Sequence, residues 1–198
     1  MNIETETTVT LRSWLVLFFL SLVWGTSYIL IKKGLIAFTP YQLAGLRLSV
    51  SALAFLPFLI VKFKEVNWSQ WQALLLVGLT GNAIPSFLFP LAQTEISSSI
   101  AGMLNSLTPL STLILGVVIF KAPFAWSKLL GILIGLGGAA LLIVLGEEAG
   151  VTGNVWYSLF IILATICYAA SSNIVGFYLR RMSSLIISVA SFVMVGLP

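Results

Sequence analysis

The 198-residue chain combines 59% hydrophobic residues with 8% charged residues, whereas soluble domains carry about 25% charged residues. Its mean hydropathy of +1.09 excludes an ordinary soluble domain and predicts a protein of the lipid bilayer. The net charge of +4 comes from basic residues between apolar runs, and it predicts no nucleic-acid partner.

Six apolar runs are long enough to cross a membrane, because a hydrocarbon core of ~30 Å takes about 20 residues of helix. A seventh run, 184–198, gives only about 22 Å of helix, which is too short to cross. The polar residues 1–10 are followed by a full-length apolar run with no cleavage pattern, which is not typical of a cleaved signal peptide. We therefore predict an all-α, polytopic helix bundle in the membrane, with spans at 11–31, 41–61, 71–92, 98–120, 126–146 and 155–178.

The basic residues of the loops are unevenly divided between the two sides of this bundle. Only Lys32 and Lys33 lie on the side opposite the N-terminus. Cytoplasmic loops carry an excess of lysine and arginine, so we predict a cytoplasmic N-terminus in the cell membrane. The residues on the predicted cytoplasmic side are Arg12, Lys62, Lys64, Lys121, Lys128, Arg180 and Arg181.

The second span contains a single charged residue, Arg47. Arg47 shares a stripe of small residues with Ala44 and Ser51, so its side chain is expected to face the bundle. We expect an ion pair with Glu95, which joins the third and fourth spans at the same surface, and a gating role for this pair. Snorkelling of the Arg47 side chain to the surface and direct contact with a solute are the alternatives.

The third span contains Pro85 and Pro90 within an apolar run, close to Asn82. An interior proline removes a backbone hydrogen bond and clashes with the preceding turn, so this helix is expected to bend or break. Freed backbone groups at membrane depth are tolerated only against protein or a water-filled cavity. A bent structural helix and a cavity-lining helix both fit the pattern, and Asn82 favours the cavity.

The fourth span carries a stripe of small and polar residues, which marks an inward face in lipid. Asn105 lies on this stripe, and its amide needs hydrogen-bond partners or water. Pro109, on the same stripe, is a further expected kink. The spacing leaves open whether the stripe lines a cavity or only packs against other helices. Its members are Ser98, Gly102, Asn105, Pro109, Thr112 and Gly116.

The fifth span repeats Gly131, Gly135 and Ala139 at intervals of four residues. Small residues at this spacing allow helices to approach closely, so we expect this face to pack against another helix. The same run contains G-x-G-x-x-A, but it lacks the preceding strand that a dinucleotide site needs. The run therefore predicts no nucleotide cofactor.

The sixth span resembles the first when the two are offset by 144 residues. The second copy would cross the membrane in the opposite sense, which is the geometry of an inverted-topology repeat. Chance similarity between apolar helices is the alternative. If the repeat is genuine, its second unit is incomplete and the chain is a fragment. The aligned pairs are Ser21 with Thr165, Trp24 with Tyr168, Gly25 with Ala169 and Ser27 with Ser171.

The charged residues provide no catalytic constellation. The sequence has no histidine and no aspartate, and its six glutamates lie outside the predicted spans. Acid–base pairs, metal-ligand clusters and catalytic triads are therefore absent from the predicted membrane interior. We predict no enzymatic activity, no metal and no cofactor.

Three stretches resemble the EamA-type unit of the drug/metabolite transporter superfamily. The resemblance implies ten helices in two inverted five-helix repeats, a central solute cavity, and alternating access that moves small polar metabolites such as amino acids. Residues 1–10 would then be a cytoplasmic tail, 11–146 the first repeat and 155–198 the start of an incomplete second repeat. The stretches are WGTSY at 24–28, Pro40 followed by Arg47, and AQTEISSSIAGMLNSLTPLSTLILGVVIF at 92–120 running into GILIGLGGAALLI at 131–143.

Our leading functional hypothesis is a secondary transporter or exporter of small amphipathic solutes. Because no acidic residue lies in a predicted span, a facilitative mechanism without proton coupling is plausible. A non-transporting membrane scaffold or partner subunit, or a non-functional fragment, is the alternative, and an ion channel is a third. Besides lipid and solute, the expected partners are a second copy or the missing C-terminal helices. The candidate solute contacts are Trp24, Ser27, Asn82, Asn105, Thr108, Tyr168 and Ser171.

Overall fold

The computed structural model describes residues 10–145 and 154–197, with backbone only at 139–145 and Val155. Within these ranges the chain forms nine α-helices and has no strand, which confirms the predicted all-α class. The helices are α1 (Leu11–Gly34), α2 (Pro40–Lys62), α3 (Trp71–Gly78), α4 (Ile84–Gln93), α5 (Ser98–Asn105), α6 (Thr108–Val118), α7 (Trp126–Leu145), α8 (Val155–Tyr178) and α9 (Ser184–Gly196).

Five segments of the described chain are long and apolar enough to cross a membrane, each with at least 21 residues. They correspond to the first four predicted spans and the sixth. The fifth predicted span lies on α7. The part of α7 with described side chains, Trp126–Gly138, is apolar but shorter than a span. The predicted end of this span, Gly146, lies outside the described residues. Helix α9 has 13 residues, as expected for the run predicted to be too short. The five segments are Leu11–Gly34, Pro40–Glu65, Trp68–Gln93, Ser98–Val118 and Trp156–Tyr178.

The third span is interrupted immediately before Pro85. Helix α3 ends at Gly78, one turn of π-helix covers Leu79–Ala83, and α4 then begins with Pro85 in its first turn. A proline at this position has no N–H to donate. In the wider π-turn the Ile84 N–H donates to the Leu79 carbonyl. Pro90, in contrast, lies inside α4 without ending it.

The fourth span is interrupted at Pro109, again as its sequence predicts. Helix α5 ends at Asn105 and α6 starts at Thr108, with Pro109 in its first turn. The carbonyl of Asn105 loses the backbone donor that Pro109 cannot supply. The Thr108 hydroxyl replaces it, donating to this carbonyl at 2.7 Å.

The helices pack around two hydrophobic clusters at opposite ends of the bundle. One cluster lies at the first-loop end, where α1 joins α2, and it includes Ile31, Phe89 and Ile161. The other lies at the second-loop end, where α2 joins α3, and it includes Leu59 and Ile186. Helix α8 packs against α3, α4 and α6, and α9 packs against α2 and α3.

Helix α1 lies at the edge of this packing. Ile31 is its only buried residue in the described part of the chain, and its contacts are with α4 and α5 near the first-loop end. Most of its other apolar residues are exposed in the described structure, whereas Tyr28 is half-buried. The part of α1 that packs is therefore its first-loop end, where it meets α4 and α5.

Candidate functional site

Three aromatic side chains from α1, α4 and α8 form a cluster, Tyr28, Phe89 and Tyr168. The ring centroids are 5.6 Å apart for Tyr28 and Phe89 and 6.1 Å apart for Phe89 and Tyr168. Both tyrosines are half-buried, whereas Phe89 is buried. Aromatic rings with polar tips offer apolar faces and hydroxyl groups to the same ligand. We call these three residues the aromatic cluster.

Asn105 adjoins this cluster at the interruption of the fourth span. Its side chain lies close to the Tyr28 hydroxyl, and the Thr108 hydroxyl is 3.2 Å from its Oδ1 atom. Asn105 and Thr108 are both half-buried. Of the predicted solute contacts, the structure thus brings Asn105, Thr108 and Tyr168 to one region.

Arg47 lies on the neighbouring face of α2. Its guanidinium is within electrostatic reach of the Tyr168 hydroxyl. Arg47 itself is exposed in the described structure. The cation therefore adds positive charge to the side of the aromatic cluster that faces α2.

The expected ion pair between Arg47 and Glu95 is not formed. The ion pair found among the described residues joins Lys62 and Glu65, at 2.8 Å. Arg47 lies about 10 Å along the axis of α2 from Pro40, and Glu95 lies in the loop between α4 and α5; both residues are exposed. The gating role expected of the two residues stays a prediction.

Four other predicted contacts lie elsewhere. Trp24 is 68% exposed, and the Ser27 hydroxyl donates to the Trp24 carbonyl of its own helix at 2.7 Å. Asn82 lies against α9, where its Nδ2 donates to Ser191 Oγ at 3.4 Å. Ser171 is buried against Gly81 in the π-turn, where an added Cβ would lie 2.5 Å from its Oγ.

The polar stripe of the fourth span has two different uses along its length. At the α6 end it packs, because Asn173 of α8 is buried and its Nδ2 donates to the Thr112 carbonyl at 3.1 Å. Gly116 adjoins the same amide. At the α5 end, Asn105 adjoins the aromatic cluster instead. The α6 half of the stripe therefore packs against α8, and a cavity-lining role for the α5 half stays a prediction.

Sequence reasoning missed several polar contacts at the first-loop end. Lys32 Nζ donates to the Gln93 carbonyl at 2.6 Å and to the Ile96 carbonyl at 3.2 Å. The Ser98 hydroxyl lies 3.1 Å from the Tyr28 carbonyl and 3.2 Å from Gln93 Oε1. Gln93 sits one helical turn after Phe89, so the 3.6-residue period could have placed both on one face.

Comparison with known proteins identifies the family. The model of the EamA-like transporter family matches residues 12–144. The chain belongs to the EamA-like transporter family. It is similar to an uncharacterized transporter of Archaeoglobus fulgidus, with 24% identity over 80% of this chain and 55% of that protein. No solved structure matches.

Two bacterial members of the family show the same pattern. The uncharacterized transporter YdfC of Bacillus subtilis is 29% identical over 76% of this chain and 48% of its own length. The uncharacterized inner membrane transporter YedA of Escherichia coli is 28% identical over 79% and 50%. The chain thus spans about half the length of the curated relatives it matches. Family membership and the apolar helices make it a multi-pass membrane protein.

Proposed function

We propose that this protein moves small amphipathic solutes across the cell membrane by alternating access. The observation that carries the proposal is the grouping of the aromatic cluster with Asn105 and Thr108 inside an otherwise apolar bundle. In lipid, polar groups in a bundle interior are costly unless they have partners, and they often mark solute pathways. Rings, hydroxyls and an amide suit a solute with both an apolar part and a hydrogen-bonding part.

The charges near this site favour a neutral or partly anionic solute. Arg47 is the charged residue near the aromatic cluster, and no acidic residue lies inside the five described segments except Glu65 at an end. These segments therefore offer no carboxylate at mid-membrane for a proton relay. We infer facilitative movement of solutes related to amino acids, with Arg47 as a solute contact.

The proposed orientation follows from the loop charges. The N-terminus and the second-loop end face the cytoplasm, because the loops there carry most of the lysine and arginine. The first-loop end then faces outward. Since the matched region is only about half of each relative, we propose that further helices or a second copy of the chain cover the exposed face of α1 that carries Trp24.

The test is solute flux in proteoliposomes containing the full-length protein. The solute to be labelled is first identified by a metabolite-export screen on cells that express this protein. We expect Asn105→Ala to reduce flux at least tenfold while the protein remains folded, because the amide adjoins Tyr28. Asn82→Ala is the matched control: its amide binds Ser191, so flux through the folded fraction should be retained.

The same experiment separates transport from a scaffolding role. If the polar residues serve helix packing alone, Asn105→Ala will lower the melting temperature and leave flux per folded molecule unchanged. Trp24→Ala adds a second comparison, because Trp24 has few contacts in the described chain. A loss of flux without a loss of stability in Trp24→Ala would support a solute-facing position for α1.

A further inference from the structure

Basic and aromatic side chains meet at the second-loop end of the bundle, where α6 and α8 finish. The Phe120 ring lies 5.1 Å from the Phe177 ring and 6.3 Å from the Tyr178 ring, measured between centroids. Lys121 directly follows Phe120, and Arg180 follows Tyr178 by two residues. The ring contacts therefore bring an exposed cation from each of two helix ends to one surface. We call these five residues the basic–aromatic surface.

The Arg180 side chain turns back along α8 toward the membrane. Its Nε donates to the carbonyl of Gly176, four residues earlier, at 3.0 Å, and its guanidinium carbon lies 5.9 Å from the centroid of the Phe177 ring. A guanidinium has five N–H donors, so this bond leaves those of the two Nη atoms for a ligand. A guanidinium fork can donate to two oxygens of one phosphate. Arg180 thus presents an oriented phosphate donor at the level of the last turn of α8.

Lys121 reverses the chain just after α6. Its φ is 52°, and the N–H of the next residue, Ala122, donates to the Gly116 carbonyl at 2.8 Å, which closes the turn. Glycine adopts this conformation without steric cost, whereas a residue with a Cβ is strained in it. Strained residues of this kind cluster at functional sites. An exposed lysine at this position therefore points to a role for its ammonium group.

The neighbouring surface is apolar on the membrane side and basic on the loop side. Val118 and Ile119, at the end of α6, are 70% and 61% exposed. Arg181 adds a further exposed cation beside Arg180. Within the described ranges the acidic residue at this end is Glu65, and it is paired with Lys62 at 2.8 Å. Cations above an exposed apolar surface match a molecule that joins an anionic headgroup to acyl chains.

We propose that the basic–aromatic surface binds one anionic phospholipid. The headgroup phosphate accepts from Arg180 and Lys121, and an acyl chain lies along Phe177 and the exposed end of α6. Basic pockets between membrane helices are known to hold anionic headgroups. Gln70 Nε2 donates to the Tyr178 carbonyl at 2.9 Å, so a bound lipid also supports the contact between α8 and the loop before α3. The proposal requires a membrane protein and does not depend on solute transport.

The experiment measures the melting temperature of the full-length protein in neutral detergent micelles, and the lipid it retains, as phosphatidylglycerol is added. Phosphatidylcholine at the same mole fraction is the baseline, and sn-glycerol 3-phosphate is the probe for a phosphate without acyl chains. We expect phosphatidylglycerol to raise the melting temperature above that in phosphatidylcholine, because a ligand of the folded state stabilises it. Glycerol 3-phosphate at the same concentration should leave the melting temperature unchanged.

Arg180→Gln should weaken phosphatidylglycerol binding about tenfold, because it removes a charge-assisted contact with two bonds. Lys121→Asn should weaken it about fivefold, the effect of one basic residue near an anionic headgroup. Asparagine tolerates the left-handed conformation, so this variant keeps the turn. Arg181→Gln is the matched control, because it removes the same charge from the residue next to Arg180, outside the basic–aromatic surface. Its affinity should change by less than about twofold.

Equal losses in Arg180→Gln and Arg181→Gln would overturn the proposal, because they would indicate a diffuse attraction between charges. Equal wild-type melting temperatures in the two lipids would overturn it, as would glycerol 3-phosphate binding as tightly as phosphatidylglycerol. The melting temperatures in phosphatidylcholine alone show whether each variant is folded. If Arg180→Gln is unfolded there, Lys121→Asn decides the outcome, and a wild-type affinity in folded Lys121→Asn would contradict the proposal.

Discussion

The glycines of α9 and α7 sit in similar apolar helices but in different surroundings. A Cβ at Gly196 would lie 2.7 Å from the backbone carbonyl of Leu48 and 2.7 Å from Ala52 Cβ, so α9 and α2 touch through their backbones. Cβ atoms at Gly131 and Gly135 would meet nothing within 4 Å in the described part of the chain. The difference shows that small residues permit close approach, while a close contact also requires a partner helix.

A similar difference separates the buried helices from the edge of the bundle. In the most apolar 18-residue stretch of Trp68–Gln93, 33% of the residues are buried. In the corresponding stretch of Leu11–Gly34, 6% of the residues are buried. Both segments have the composition of membrane spans, so apolar character alone does not distinguish them. The buried segment is the one that also carries glycine and amide contacts to α8 and α9.

The largest expected effect comes from filling the tightest helix contact. Gly196→Leu should destabilise the protein by about 1–3 kcal/mol or more, because the added side chain collides with backbone that cannot move without separating α2 and α9. The melting temperature and the monodisperse fraction in detergent report this loss. Gly135→Ala is the control and should cost nothing measurable. Equal losses in both variants would mean that the open face of α7 is as tightly packed as α9.

A smaller effect is expected from the amide that joins α8 to α6. Asn173→Leu removes hydrogen bonds to the carbonyls of Thr112 and Ala169 and should cost about 1 kcal/mol, which is within the range measured for polar contacts in membrane proteins. Chemical denaturation in mixed micelles measures the change. The neighbouring exposed residue provides the control, Ser172→Ala, which should be neutral. A neutral Asn173→Leu would show that these bonds carry little of the packing.

The smallest effect is a gain in stability at the connection between α6 and α7. Lys121 adopts a positive φ of 52°, a conformation that is unfavourable for residues with a Cβ. Lys121→Gly should therefore stabilise the protein by about 0.5–1 kcal/mol, seen as a higher melting temperature. Lys128→Gly lies within α7 and should act in the opposite direction. A loss of stability in Lys121→Gly would indicate that the lysine side chain makes a contact that outweighs its backbone strain.

The sequence predicted those features that depend on one helix alone. Run lengths predicted the spans, and Pro85 and Pro109 predicted the interruptions, because a missing N–H acts on its own helix wherever that helix packs. The three stretches that resemble the EamA-type unit led to the family that the comparison confirms. These signals are local and need no knowledge of neighbouring helices.

Features that depend on a partner helix were predicted less well. Asn82 and Asn105 looked alike in sequence, but Asn82 meets Ser191 of α9 and Asn105 adjoins Tyr28 of α1. Nearness in the predicted topology suggested the Arg47–Glu95 pair, but the described structure does not contain it. The contacts of Gln93 with Lys32 and Ser98 were missed because they form only where α1, α4 and α5 meet.

The central claim is that Asn105 and the aromatic cluster adjoin a water-filled solute path. Labelling of an introduced cysteine by a charged thiol reagent tests it in the full-length protein with Cys167 replaced by alanine. The account predicts that Asn105→Cys reacts and that solute slows the reaction. Ile134 is 76% exposed on α7, and we expect it to face lipid. Ile134→Cys should then not react, because a thiol in hydrocarbon stays protonated and a charged reagent is excluded. An unreactive Asn105→Cys in a folded protein would contradict the account.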